Sequence, residues 1–595
     1  MSRRLLMLRA VVVVVCAVIF GRLVQLQIVE GERNRRLADE NRIRIARRLA
    51  PRGNIYDRRN QLLASSRLAY SVSVIPEELA LAGGGDACAR LAELMELPSD
   101  DVRAALGRER PLRYEPAVIF PDAPQDAVAR LEEYSVYLSG VSVRSDAVRY
   151  YPQGTLAAHV LGYVRQISAQ ELANPESAGY RPHDLIGKAG IEKVAEQFLR
   201  GVDGGDQIEV DARGRRVRTL GTVAPRPGQD VWLTLDLELQ RAAEAALAGR
   251  AGAVVALDPR DGAVLVLASH PTYNPNVFVG ALSPEAWRDI TGPGHPQHNR
   301  ATMSRYPPGS LFKIVTAAAA LESGACDTES MFRCDGAYRI GRWSLRCWKR
   351  AGHGTIGFFR GFAQSCNVMF ATLGRRVGPE RLADMGRRFG LGQETSVDLP
   401  EEAAGLVPTP EWKRKARREP WYPGDTCQMA IGQGDCLVTP LQVAREVAVV
   451  ANGGNLVRPH IVARVEGEES IGGPPAARSV GLRPETIAAL RAGMEGVVAR
   501  GGTAARIATD RYGIAGKTGT AETPGGEPHA WFAGYAPSDD PQIALAVIVE
   551  HSGHGSEVAA PIARYLFDTA LLPEAERAPW PPEGMEIAGL PEPEA

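Results

Sequence analysis

Tyr306-Pro-Pro-Gly-Ser310-Leu-Phe-Lys313-Ile-Val-Thr-Ala-Ala-Ala-Ala320 is the stretch on which the reading of this chain turns. Pro308 and Gly309 set a tight turn, and everything after Ser310 reads as a helix apolar on all sides, hence buried. Ser310 falls in that helix's first turn, where unpaired N–H groups favour developing negative charge. Lys313 follows three residues on and shares its face. A lysine held against an apolar helix is penalised for its charge, so its pKa falls and it becomes fit to take the serine proton. By itself the Ser-x-x-Lys pair is weak. Chance supplies such pairs in many chains, and a solvated Ser and Lys at a helix start is then the plainer reading.

Two further stretches bear on the same chemistry. Ser365-Cys366-Asn367 precedes the apolar run Val368, Met369, Phe370 and puts a hydroxyl and an amide two residues apart on a loop. Such a pair can relay a proton and hold a substrate amide; alone it reads better as an ordinary helix cap. Gly516-Lys517-Thr518-Gly519-Thr520 is flanked by Ile514, Ala515 and Ala521. Glycine within a strand marks the close approach of another backbone. Lys517 with the hydroxyls of Thr518 and Thr520 suits a carboxylate, and a backbone N–H there can help stabilise an oxyanion. In this order the three stretches make a serine acyl-transfer site.

The surrounding pattern predicts an α+β fold. Val231 to Leu235 reads as a strand and Leu239 to Leu247 as a helix. Ala253–Leu257 and Ala263–Ser269 then form a hairpin around Asp261-Gly262. Strands near 514–520, 530–536 and 542–550 can join it, giving an antiparallel sheet flanked by helices. Upstream, residues 50–228 alternate strand and helix without a chemical cluster, as expected of a structural or partner-binding module. Ala87–Met95 reads as helical. So do Ser99–Leu106, behind the capping Ser99, Asp100 and Asp101, and Gly190–Leu199 as one amphipathic helix. The expected division is 1–30 cytoplasmic stub and membrane anchor, 31–228 pedestal, 229–572 catalytic domain, and 573–595 a disordered Pro- and Glu-rich tail.

Composition sets the outer bounds. At 595 residues, with 45% hydrophobic and 23% charged residues, the bulk of the chain is neither disordered, collagen-like nor coiled coil. A formal charge of −1 gives no global footprint for nucleic acid, and none is expected as a partner. Near the N-terminus, Leu5–Leu8, Arg9 and Ala10–Phe20 form an apolar run that resumes after Arg22 with Leu23, Val24, Leu26, Ile28 and Val29. No small-x-small cleavage pattern follows Phe20, so the run reads as an uncleaved anchor. Arginines are denser after it than before it, which by count would put the C-terminal side in the cytoplasm. Long domains translocate largely regardless of charge, and the acyl-transfer chemistry places this one outside.

The eight cysteines are unevenly placed. Cys334, Cys347, His353 and Cys366 offer three thiols and an imidazole, a closed tetrahedral zinc set in type, but their x12, x5, x12 spacing is not that of a zinc finger. A Cys334–Cys347 disulfide is the competing reading in an oxidising compartment. Cys427 and Cys436, flanking Gly432-Gln433-Gly434, could pair or stay free. His159, His298 and His551 show no partner pattern and read as structural or exposed.

Taken together, these stretches resemble the class B penicillin-binding proteins, the peptidoglycan D,D-transpeptidases, and most closely the penicillin-binding protein 2 group of the elongation machinery. The resemblance extends along nearly the whole chain. It includes the anchor, Arg52-Gly-x-Ile-x-Asp57-Arg, Gly187-x-x-Gly190-Ile-Glu192, Asn299-Arg300, Gly432-Gln433-Gly434 and His529-Ala-Trp531-Phe-Ala-Gly-Tyr-Ala-Pro537. It departs at Cys366, where many relatives of the wider superfamily carry Asp.

The resemblance implies that Ser310 attacks the penultimate D-alanine carbonyl of a donor stem peptide, with Lys313 as base. Ser365 and Asn367 would relay protons and align the peptide. Lys517, Thr518, Gly519 and Thr520 would bind its terminal carboxylate, and the N–H groups of Ser310 and Thr520 would form the oxyanion hole. β-Lactams would acylate Ser310. It also implies a metal at Cys334, Cys347, His353 and Cys366: one structural Zn2+, with no cofactor needed for the chemistry. The implied partners are stem peptides, the membrane, elongation-complex scaffold proteins and a multi-span glycan polymerase of the shape, elongation, division and sporulation family. The implied location is the bacterial inner membrane, single-pass, N-terminus cytoplasmic and catalytic domain periplasmic. The alternatives are a septal paralogue, a carboxypeptidase (also expected as a side activity), a β-lactam-sensing receptor and a catalytically dead scaffold. Few residues precede the anchor to serve as a sensor's output, and Ser310, Lys313, Asn367 and Lys517 are all intact. His353 and His529-Ala-Trp531 favour the elongation type.

Overall fold

The computed structural model describes residues 3–32, 43–75, 78–79, 85–100, 102–103, 117–134, 137–138, 140–174, 179–181, 184–210, 216–279, 284–472, 476–523 and 525–581. Arg33, Arg35, Arg36 and Arg42 after the anchor, part of the Ser99–Leu106 helix and residues 582–595 of the tail lie outside them.

Residues Arg3–Val24 form an α-helix that continues into a π-helical turn at Gln25–Val29. Arg9–Val29 is 21 residues long and apolar enough to cross a membrane. The apolar character that resumes beyond Arg22 supplies the length that the first run lacked.

The chain separates into two compact units that interleave in sequence. One comprises residues 1–52, 66–148 and 200–228; the other comprises 53–65, 149–199 and 229–595. In the first, Ile43–Arg48, Gly204–Val210 and Arg216–Val223 form a three-stranded antiparallel sheet. The Arg47 guanidinium there meets Asp203 at 2.6 Å. A separate core of Val72, Leu91, Ile119, Val128 and Leu131 packs within the same unit.

The larger unit holds an extended core, with a small separate cluster of Ala158, Tyr273, Phe278 and Ile290. Helix α1 (Leu237–Leu247) opens at Asp236, whose carboxylate accepts from the N–H groups of Glu238 and Leu239 and so satisfies two of the free donors at the helix start. Strands β1 (Gly252–Leu257) and β2 (Val264–His270) follow as the expected hairpin. Gly262 turns it with φ +86°, and a Cβ there would meet the Arg458 carbonyl at 2.6 Å. Helices α2 (Lys313–Glu322), α3 (Asn367–Val377), α4 (Pro440–Ala451) and α5 (Pro484–Val498) come next. The chain then returns to the sheet as β3 (Ala515–Ala521), β4 (His529–Ala536) and β5 (Ile543–Val549), and ends on α6 (Ala559–Leu571).

The five strands run antiparallel in the order β2-β1-β5-β4-β3, which leaves β3 at an edge. Central strand β5 packs against both α4 and α6, and all seven of its residues are buried. Its unbroken run Ile-Ala-Leu-Ala-Val-Ile-Val is what a strand covered on both faces requires.

The Gly190–Leu199 segment differs from expectation. It forms two short helices, Gly190–Val194 and Glu196–Leu199, broken at buried Ala195. The first of them carries a polar centre: Glu192, fully buried, takes the Arg149 Nε–H at 2.5 Å and the Tyr151 hydroxyl at 3.2 Å, while Arg149 also donates to the Gly53 carbonyl at 2.6 Å. The arginine and the glutamate thus compensate each other's burial and tie three distant stretches of the chain together.

Candidate active site

The Ser310 turn is seated by main chain on main chain. Tyr306 and Val438 exchange backbone hydrogen bonds at 2.9 Å in both directions, and Gly309 N donates to the Gly432 carbonyl at 2.9 Å. Gly309 has φ +53°, and a Cβ on it would lie 2.7 Å from the Thr520 carbonyl oxygen. A Cβ on Gly432 would lie 2.1 Å from the Gly309 carbonyl. From the side, the Trp531 indole N–H donates to Pro307 O at 3.2 Å. The glycines are therefore demanded by close approach as well as by conformation. Ser310 itself sits on a 3-10 turn, Gly309–Phe312, and α2 begins only at Lys313. The sequence pattern places Ser310 in the first turn of the α-helix; in the structure that turn is 3-10, and Gly309 at its start is tied to Gly432.

Every residue of α2 from Lys313 to Leu321 is buried. The Lys313 ammonium donates to Asn367 Oδ1 at 2.7 Å, to Ser365 O at 2.9 Å and to Ser365 Oγ at 3.0 Å. Burial pushes its pKa down to about 7 against the weaker opposing pull of the nearby Cys347 and Cys366 sulfurs. Lys517, also fully buried, donates to the same Ser365 Oγ at 2.9 Å. Its pKa is pushed far down, first by burial and then by the charge of Lys313. One hydroxyl thus sits between two lysines that cannot both hold a proton cheaply. Ser365 is positioned for this by φ +52°, a left-handed conformation that a non-glycine residue adopts at a cost.

Two contacts from the preceding hairpin (Ala337–Ile340, Trp343–Arg346) and its exit hold the catalytic loop. Asn367 Nδ2 donates to Arg346 O at 3.1 Å, and the Trp348 indole donates to Gln364 O at 2.9 Å. The helix-cap reading of this segment is also met, by the intervening residue: Cys366 Sγ accepts from Met369 N at the start of α3.

Strand β3 carries Lys517, Thr518, Gly519 and Thr520, with Gly519 packed so that a Cβ would lie 2.8 Å from Trp531 Cβ. As an edge strand it offers main-chain groups to an extended ligand. The structure thus joins Lys313, Ser365, Asn367 and Lys517 in one hydrogen-bonded cluster and sets the Ser310 turn against Thr520. Thr503, which the sequence reading did not single out, lies 2.7 Å from Thr518, hydroxyl to hydroxyl. The small-residue run Gly501-Gly502 before it was the one available signal.

The second cluster also assembles. One ligand atom from each of Cys334, Cys347, His353 and Cys366 lies within 4.8 Å of all the others. Zinc–sulfur bonds of about 2.3 Å give tetrahedron edges of about 3.8 Å, so the set fits such an ion. Two further observations agree with the fit. His353 presents one ring nitrogen to Cys347 Sγ at 3.6 Å, and its Nε2 is buried without a partner. The closeness of the two thiols pulls Cys347 down and pushes Cys366 up, the direction that favours a thiolate at Cys347. All eight cysteines, Cys427 and Cys436 included, are free thiols.

Comparison with known proteins places this geometry. A family model described as the penicillin binding protein transpeptidase domain matches residues 252–568, and one described as the penicillin-binding protein dimerisation domain matches residues 47–233. The chain is 35% identical to the peptidoglycan D,D-transpeptidase MrdA of Acinetobacter baumannii over 583 residues, 94% of this chain and 86% of that protein. Among solved structures it resembles a complex between penicillin-binding protein 2 and MreC from Helicobacter pylori, with TM-score 0.78 and 30% identity over 88% of this chain and 98% of that one. It also resembles a chain of a peptidoglycan synthase complex that coordinates polymerization and crosslinking. There the TM-score is 0.72 and the identity 33%, over 97% of this chain and all of that one.

Proposed function

The chain belongs to the class B penicillin-binding proteins, and from that premise we infer that it is a membrane-anchored peptidoglycan D,D-transpeptidase of the elongation type. The observation that carries the reading is Ser365 Oγ held between Lys313 and Lys517, beside the Ser310 turn. It supplies a neutral base, a proton relay and a cation for a carboxylate in one cluster.

The donor stem peptide lies along the edge of β3, its terminal carboxylate at Lys517, Thr518 and Thr520. The anion's charge restores the proton on Lys517 and so leaves Lys313 neutral. Ser310 Oγ attacks the penultimate D-alanine carbonyl while Lys313 takes its proton. The carbonyl oxygen, now negative, is held by the N–H groups of Ser310 and Thr520. The C–N bond breaks, the leaving nitrogen of D-alanine receives a proton through Ser365, and an ester to Ser310 remains. An amine from a second stem peptide then attacks the ester, gives up its proton by the reverse relay and frees Ser310. Water in place of the amine gives carboxypeptidase side activity, and a β-lactam in place of the donor stops at the ester. Asn367 aligns the peptide.

No cofactor is needed for these steps. Cys334, Cys347, His353 and Cys366 hold one Zn2+ whose contribution is structural: when bound it fixes Cys347 and Cys366, and with them the loop carrying Ser365 and Asn367. Protein purified without chelator should contain about one zinc per chain by elemental analysis, and Cys347→Ser should lower this to less than about a tenth. Four freely titrating cluster groups in metal-free protein would overturn the assignment.

The residue ranges 31–228 and 229–572 serve as pedestal and catalytic domain. Partners of the elongation complex fit the chain's likeness to the MreC complex and the synthase complex. The multi-span polymerase supplies the glycan strands that this chain cross-links. The apolar Arg9–Val29 helix anchors the chain in the inner membrane, N-terminus cytoplasmic and catalytic domain periplasmic. In a reconstitution of full-length protein with lipid-linked disaccharide pentapeptide and such a polymerase, muramidase digestion releases cross-linked dimers accompanied by free D-alanine. Digests holding only uncross-linked monomers, with the glycan polymerised, would refute the transpeptidase reading.

A further inference from the structure

Thr503 is held from both flanks. It follows α5 in Gly501-Gly502-Thr503, where a Cβ on Gly502 would meet the Val497 carbonyl at 2.2 Å. Thr503 N donates to Ala363 O at 3.3 Å, and Ala504 N donates to Val497 O at 2.9 Å. Helix α5 packs on β3, so the segment has a fixed place beside the strand. Its hydroxyl lies 2.7 Å from that of Thr518, an oxygen–oxygen separation at which one proton is shared and the other is left free. Thr518 is buried, and by the two-residue period of a strand it shares a face of β3 with Thr520.

A threonine hydroxyl has one proton to give and two lone pairs. If Thr518 donates to Thr503, it has none left for a carboxylate. If Thr503 donates to Thr518, the Thr518 proton is free, and the donated bond polarises it toward an anion. Only the second arrangement suits a site for negative charge. We propose that Thr503 is a positioning residue for the carboxylate site, its hydroxyl donating to Thr518 Oγ1 so that the Thr518 O–H points at the bound carboxylate. The proposal rests on the reading that Lys517, Thr518 and Thr520 receive that group.

The test uses full-length protein in detergent and two acylating probes, benzylpenicillin and its methyl ester, which differ in the carboxylate alone. The readout is the ratio of their second-order acylation rate constants, followed by intact mass, so the folded fraction of each preparation cancels. Thr503→Val lowers the ratio about tenfold, the value of one hydrogen bond to a charged group, and Thr503→Ser restores it to within about twofold of wild type. Thr503→Ala, which introduces no new methyl group, gives the same loss as Thr503→Val. Equal slowing of both probes in Thr503→Val would mean a structural role only and overturn the proposal. Thr518→Val separates the two readings. If it lowers the ratio and the Thr503 variants do not, the proposal fails and the carboxylate site stands. If neither position affects the ratio, both fail.

Discussion

Full-length protein treated with benzylpenicillin should gain the mass of one drug molecule, and Ser310→Ala should gain none. The loss is complete because the adduct is an ester to the serine oxygen, and alanine has no oxygen to offer. The variant also isolates chemistry from folding. The turn is fixed by the backbone of Tyr306, Gly309, Gly432 and Val438, none of which depends on the Ser310 side chain. Removing one oxygen from a half-buried side chain should change stability by no more than about 0.5 kcal/mol, so the melting curves should nearly overlay. Peptide mapping should find the drug on the tryptic peptide containing Ser310. An adduct of equal stoichiometry in Ser310→Ala, or one mapped to another residue, would remove Ser310 from the nucleophile's role.

Lys313→Met should slow acylation about 10²- to 10⁴-fold, the usual span for loss of a general base. Methionine suits the position because Ile314 to Leu321 of α2 are all buried and, apart from Thr316, apolar, and the swap removes a buried amine at little cost in volume. Two hydrogen bonds to Ser365 and one to Asn367 are lost with it. The pH profile separates base catalysis from this loss of support. A lysine whose pKa is lowered to about 7 is protonated below that pH and has no lone pair to accept the Ser310 proton. Acylation by benzylpenicillin should therefore rise with pH through about 7 and level off above it. The residual rate of Lys313→Met should lack that step. A wild-type profile flat between pH 5.5 and 8.5, measured over the range where the protein stays folded, would mean that another group takes the proton.

Much of this site was legible in the sequence because chemistry fixes residue types at short range. Ser310 and Lys313 lie one turn apart, and the apolar run after them announced burial, which is what lowers the lysine's pKa. The sheet was legible for the same reason: Ala253–Leu257 and Ile543–Val549, within the expected 542–550 strand, are unbroken apolar stretches, and Asp261-Gly262 signals its turn. Less was legible where tertiary contact overrides local pattern. Nothing in Pro-Pro-Gly-Ser distinguishes an α-helical first turn from a 3-10 turn, and the hydrogen bond that seats Gly309 runs to Gly432, more than a hundred residues further along the chain. Gly190–Leu199 has the periodicity of one helix, yet it folds as two short ones broken at Ala195. Thr503 could not be ranked as functional, since a threonine after two glycines is ordinary until its hydroxyl is seen against Thr518. The cysteine cluster was visible as a set of residue types, but only folding shows that Cys334, thirty-two residues before Cys366, comes within bonding range of the same point.

The glycines around Ser310 bear on how such a protein can change under antibiotic selection. The wall behind the nucleophile is main chain pressed on main chain at Gly309 and Gly432, neither of which leaves room for a side chain. A missense change at either of them collides with a neighbour before it can discriminate drug from substrate, and the backbone atoms they meet are not encoded by any codon choice. Tolerated resistance substitutions are thereby confined to the rim, where side chains face the cleft and can be exchanged one at a time. The innermost part of the target offers a drug designer a surface that heredity has little means to redraw.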